Sequence, residues 1–193
     1  MKFLMNKFFL PYFIIFSFSF CAKCIDVWFQ NTSLNNQPFK LKAFFDTNDL
    51  VEKPIEIYID SKNSKIKIVY DKQDILLMND KTMKLFKETN QLYIDNPDTS
   101  LSKMILSLFN DIDDEKNYIE ISKTEYTYTL QDLSLSEIYI KYNDSCKEIN
   151  QIKIINDHQN ISIYDISIDY IDKDNILSIF DISGNYFIYD LRE

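Results

Sequence analysis

Residues 55–70 read Ile-Glu-Ile-Tyr-Ile-Asp-Ser-Lys-Asn-Ser-Lys-Ile-Lys-Ile-Val-Tyr, and their alternation decides the fold class. Ile55, Ile57 and Ile59 share one parity against Glu56, Tyr58 and Asp60, the period of a half-buried strand. After a polar break at Ser61–Ser64, Ile66, Ile68 and Tyr70 alternate with Lys65, Lys67 and Val69. Next come an apolar run at Ile75–Met78, a turn at Asn79–Thr82 and strands at Met83–Lys87 and Gln91–Asp95. Asp98, Thr99 or Ser100 can then cap a helix in which Leu101, Met104, Ile105, Leu108 and Phe109 recur at helical spacing.

Working outward, a short helical stretch is expected near Asp26–Asn36 and a strand at Phe39–Phe45, with Leu41 and Ala43 opposite Lys40 and Lys42. Further strands are expected at Tyr118–Ser122, Glu125–Leu130, Glu137–Tyr142, Ile149–Ile155 and Ile161–Ile171. In the last of these the alternation changes phase, which a bulge near Tyr164-Asp165 explains. Leu177–Ile182 and Tyr186–Leu191 read as a closing hairpin around Gly184-Asn185. Ten or eleven strands with one central helix indicate a mainly β fold, a curved antiparallel sheet forming an unclosed half-barrel. Gly184 is the only glycine, so Asn and Asp must carry most left-handed turns.

The 193 residues suffice for one domain. Lys2 and Lys7 precede the apolar run Phe8–Phe20, which suits a secretory leader better than a membrane span. Residues 1–24 are read as that leader and residues 25–193 as the domain, with Ala22 and Cys24 in the small-residue positions before the cut. A lipoprotein acylated on Cys21 or Cys24 stays open. Without residues 1–24 the charge is 18 cations against 30 anions, which argues against nucleic acid and anionic headgroups. That cut also leaves Cys146 as a lone loop thiol with no disulfide partner.

Catalytic chemistry is sparse. His158 is the only imidazole, in the polar turn Asn156–Asn160, where a solvated role suffices. Asp111, Asp113, Asp114 and Glu115 fail the calcium-loop pattern, with Lys116 at its sixth position and Ser122 at its twelfth. Paired carboxylates such as Asp172 and Asp174 could serve as a glycosidase couple, but in a chain with 30 acids choosing two means nothing without a cleft. One glycine excludes a phosphate-cradling loop. No enzyme activity, metal or cofactor is expected.

The order of elements resembles the periplasmic outer-membrane lipoprotein carrier family (LolA), in particular its alphaproteobacterial forms, over about residues 39–182. Lys62-Asn63-Ser64-Lys65-Ile66-Lys67-Ile68-Val69-Tyr70 is similar to the family's strand–turn–strand, with its two arginines falling on Lys62 and Lys67. Asn79-Asp80-Lys81-Thr82 takes the place of its Asp-Gly-Lys turn, and Thr89-Asn90-Gln91 that of a segment ending in Gln. Ser100-Leu101 through Leu106 sits where the family has its Leu-rich lid helix. Ile154–Asn160 resembles its Asp-x-x-Gly hairpin, and Leu177–Ile182 its closing strand.

The resemblance implies a periplasmic, monomeric lipoprotein chaperone that holds acyl chains in a hydrophobic cavity beneath a helical lid and carries lipoproteins from inner to outer membrane. Ile66, Ile68, Tyr70, Leu85 and Ile140 are then expected to line the cavity, and Leu101, Met104, Ile105 and Leu108 to form the lid face. Lys62 and Lys67 are expected to tether that lid. Implied partners are acylated lipoproteins, an inner-membrane ATP-driven lipoprotein-releasing transporter and an outer-membrane receptor. Two alternatives stand beside this: a receptor-type lipid-binding lipoprotein of the same superfamily, and a secreted β protein acting through its surface.

Overall fold

The computed structural model describes residues 23–33, 37–47, 50–99, 101–102, 105–106, 118–130, 136–155 and 160–192. Helix α1 (Cys24–Ser33) leads into a first run of strands: β1 (Phe39–Thr47), β2 (Leu50–Asp60), β3 (Lys65–Tyr70), β4 (Gln73–Leu77), β5 (Thr82–Phe86) and β6 (Gln91–Asp95). A second run follows as β7 (Tyr118–Ser122), β8 (Glu125–Leu130), β9 (Ser136–Tyr142), β10 (Ile149–Ile155) and β11 (Asn160–Tyr170). Helix α2 (Lys173–Ile179) and strand β12 (Phe187–Asp190) end the fold. The twelve strands form one open sheet, in the order β12-β6-β5-β4-β3-β2-β1-β11-β10-β9-β8-β7. Two antiparallel meanders are thus joined where β1 pairs with β11.

The alternation in residues 55–70 becomes an antiparallel pair in which Ile57 faces Ile68 and Ile59 faces Ile66. A short 3-10 turn at Ser61–Asn63 reverses the chain, with Asp60 accepting from the Asn63 backbone amide and Ser64 closing it in the left-handed region at φ 49°. With glycine so rare, Asp71, Asn90 and Asp165 also adopt positive φ, as does Cys146. The bulge stands where the phase change places it: Lys42 pairs with Ser167 and Phe44 with Tyr164, so Asp165 and Ile166 together oppose Ala43.

The chain end departs from the sequence expectation. Residues 173–179 are helical rather than extended, and β12 runs parallel to β6 instead of returning as a hairpin. Ile176, Ile179 and Phe180 share a helical face packed on Leu76, whereas Leu177 is 77% exposed. Gly184 does not supply a left-handed turn. It makes room for the Tyr186 ring, which would stand 2.5 Å from any added Cβ.

Candidate functional site

In an antiparallel ladder, residues directly opposite share a face. Leu41, Ile57, Ile68 and Ile75 form one such row, and Phe39, Ile59, Ile66 and Leu77 the next. On the other meander, Tyr126, Ile140, Ile152 and Ile163 make a row, beside Ile138, Ile154 and Ile161. These rows join into a single apolar cluster spanning β1–β4 and β8–β11.

Helix α1 covers part of this face. Cys24, Ile25 and Trp28 are all buried in the cluster, and the Trp28 ring lies 6.1 Å from that of Tyr142, itself edge-on to Tyr126 at 5.8 Å. The helix is fixed at its start. The Cys24 amide donates to the Tyr126 hydroxyl at 3.1 Å, which donates onward to the Lys123 carbonyl at 2.7 Å. Cys24 is also disulfide-bonded to Cys146, 122 residues away. The expected loop thiol at Cys146 is thereby corrected: helix α1 begins at Cys24, and the pairing places that cysteine inside the folded domain.

After β6, residues 99, 101, 102, 105 and 106 are helical. Asp98 caps them, its carboxylate accepting from the Leu101 amide at 3.0 Å, and the Asp98 amide donates to the Thr82 hydroxyl at 2.8 Å. Ile105 is buried in the cluster, with Leu101 and Leu106 packed at its margin. Met104, Leu108 and Phe109 lie outside the described residues, as do His158 and the acidic run 111–115. Ile55, Tyr70, Ile163, Ile166 and Ile168 remain only partly buried against the cluster.

Of the residues expected to line a cavity, Ile66, Ile68, Tyr70 and Ile140 therefore meet on one face, the first, second and fourth of them in close packing. Leu85 does not join them. It pairs with Asp74, in the row with Val69 and Glu56, and so lies on the opposite face. That face also carries Lys67, whose ammonium donates to the Ile179 carbonyl at 2.9 Å and stands 3.8 Å from Asp74. The expected lid tether is corrected accordingly: among the described residues, Lys67 secures α2, on the far side of the sheet from Ile105. Lys62 is exposed in the 3-10 turn.

Electrostatics on this far face centre on Lys40, Glu56 and Tyr58. Lys40 pairs with Glu56 at 2.8 Å, and the Tyr58 hydroxyl donates to the same carboxylate at 2.7 Å. Burial favours the protonated Glu56, but the bonds from Lys40 and Tyr58 outweigh it and hold the carboxyl below its ordinary pKa. Burial likewise works against the charged Lys40, and bonds to Glu56 and Tyr58 still raise its pKa.

Two clefts are lined by other residues. One, of about 400 Å³, lies between α2 and the 3-10 turn, with Asp60, Asn63, Lys65, Ile176 and Phe180 on its walls. The other, about 340 Å³, sits by Phe86, Gln91, Tyr93 and Leu191 near the β12 edge. No group of three or more His, Cys, Asp or Glu able to hold a metal occurs among the described residues.

Helix α1 begins two residues before the expected stretch Asp26–Asn36 and is a core element. Cys24, Ile25 and Trp28 are one helical stripe, and that spacing was the available signal.

No protein-family model and no curated protein matches the chain. Among solved structures, an uncharacterized conserved protein from Thermus thermophilus is similar with a TM-score of 0.50 at 9% identity, over 86% of this chain and 96% of that one. That likeness concerns the fold alone.

Proposed function

We propose that the protein is an exported lipoprotein chaperone: a half-barrel whose apolar face takes up acyl chains beneath a helical lid and carries acylated proteins between the inner and outer membranes. The observation that carries this proposal is an apolar face spanning eight strands whose covers leave Ile55, Tyr70, Ile163, Ile166 and Ile168 partly exposed. Each methylene removed from water is worth about 0.8 kcal/mol, so a long acyl chain gains roughly 10 kcal/mol on such a surface. A disulfide between Cys24 and Cys146 fits an oxidising compartment such as the periplasm. In this role the helical residues after Asp98 swing away to admit cargo, while α1, held by its disulfide, stays as a wall. Cargo comes from an inner-membrane ATP-driven transporter and passes to the outer membrane or a receptor there.

Titration with a fluorescent long-chain fatty acid tests the proposal. Saturable binding that a triacylated lipopeptide displaces supports it; no saturable binding contradicts it.

A second role, recruitment of another protein, is favoured by one specific feature. Edge strand β12 and its flank expose Phe187 (69%), Ile188 (62%) and Leu191 (55%). Loss of partner capture in Ile188→Lys, with fatty-acid binding intact, would separate this role from the first.

A further inference from the structure

We infer that the cleft of about 340 Å³ near the β12 edge receives the zwitterionic head of a phospholipid, its phosphate against Lys84 and its ammonium against Asp95, while the acyl chain lies along the apolar face. This head site rests on the acyl-chain binding proposed above and adds the class of head group that accompanies the chain. Strand register carries the apolar rows directly into the cleft. The row of Ile57, Ile68 and Ile75 continues across β5 and β6 as Lys84 and Tyr93. The row of Ile59, Ile66 and Leu77 continues as Thr82 and Asp95. Ile55, Tyr70 and Ile75 are only partly buried against the cluster, so the partly exposed stretch of the face adjoins the cleft.

A face that is apolar through β2, β3 and β4 thus ends in one cation, one anion and a group of rings. Lys84 and Asp95 are both partly buried, and among the described residues neither has an ion-pair partner. Asp95 accepts only from the neighbouring Asn96 amide, at 2.8 Å. A charge withdrawn from water without a partner favours a ligand of opposite sign. An anion alone would face Asp95 and a cation alone would face Lys84, whereas a head carrying both signs satisfies both. The Tyr93 ring is edge-on to Phe86 at 5.5 Å and stacked on Tyr189 at 4.9 Å. The electron-rich faces of such rings attract an ammonium, above all a quaternary one. Gln91 adds donors: its Oε1 accepts from the Thr89 hydroxyl at 3.0 Å and the Tyr93 hydroxyl at 3.4 Å, which leaves its N–H groups for a phosphate oxygen. The cleft is large enough for a head group but too small for a whole lipid, so the chain must lie outside it, on the adjoining face.

Calorimetric titration with single-chain lipids, kept below their micelle-forming concentrations, tests the assignment. Lysophosphatidylcholine should bind roughly tenfold more tightly than the fatty alcohol of equal chain length. Lys84→Met and Asp95→Asn should each abolish that preference and leave alcohol binding unchanged, with the fold checked by circular dichroism. Phosphocholine without a chain should not bind detectably. Equal affinity for the two lipids in the wild type, or a preference that survives both substitutions, overturns the head site and leaves the acyl-chain reading standing. Tighter binding of anionic lysophosphatidylglycerol than of lysophosphatidylcholine does the same. Phosphocholine bound as tightly as the lysolipid would make this a site for a free soluble head and overturn the phospholipid assignment. Binding of neither lipid overturns the acyl-chain reading as well.

Discussion

The Lys67 ammonium donates a hydrogen bond of 2.9 Å to the carbonyl oxygen of Ile179, across 112 residues of chain. It satisfies a carbonyl at the C-terminal end of α2, where a cation is favoured by the helix dipole, and Asp74 beside it is buried and also paired to Lys87 at 2.6 Å. Lys67→Met removes the donor while Asp74 keeps Lys87. We expect a loss of about 1–3 kcal/mol, with hydrogen exchange speeding up in residues 173–180 and unchanged in 24–28. Equal acceleration in both segments would contradict this local role.

Helix α1 depends on a covalent link instead. Cys146→Ser, or reduction, opens a loop of 122 residues and should lower stability by about 2–5 kcal/mol. A urea titration with and without dithiothreitol measures it. The double variant Cys24→Ser/Cys146→Ser should match the reduced protein and lose its response to reductant.

Acid should act through Glu56. Its pKa is held down in the folded state, so between the folded and unfolded values the unfolded chain binds more protons. The stabilisation is complete above the ordinary carboxylate range and fades as pH falls through the lowered value. Glu56→Gln is expected to be less stable than wild type at pH 7 and to converge with it on acidification. Thermal unfolding at a series of pH values checks this, and a gap that stays constant from neutral to acid would contradict it.

Two positions on the apolar face should respond differently. Ile140 is fully buried, and a carboxylate there has no partner, so Ile140→Glu should unfold the domain. Ile166 sits at the bulge and is partly exposed. Ile166→Glu should keep the fold by circular dichroism and weaken fatty-acid binding by roughly tenfold. Unchanged affinity in the folded Ile166→Glu protein would count against the proposed site.

Strand content was legible because alternating isoleucines report a pleated, half-buried sheet directly, and even the β11 bulge left its mark as the parity switch between Ile163 and Ile166. The faces were less legible. Met83 and Leu85 alternate cleanly with Lys84, but the turn pairs Leu77 with Thr82 and so puts Lys84 on the core side and Leu85 on the other. Helix α2 was hidden by Leu177, whose exposed apolar side chain fills a gap in the helical stripe Ile176, Ile179, Phe180 and makes the run look like a strand. The disulfide could not be read at all from one sequence, since its two cysteines meet only after nine strands have been laid down between them.

Native mass spectrometry of the protein recovered from cell envelopes without detergent reads acyl-chain occupancy itself. A fraction of the molecules is expected to carry adducts of fatty-acyl mass that are lost on extraction with organic solvent, and the stripped protein is expected to gain the mass of a triacylated lipopeptide when it is added. A single ligand-free mass, unchanged by excess lipopeptide, would contradict the proposed carrier role.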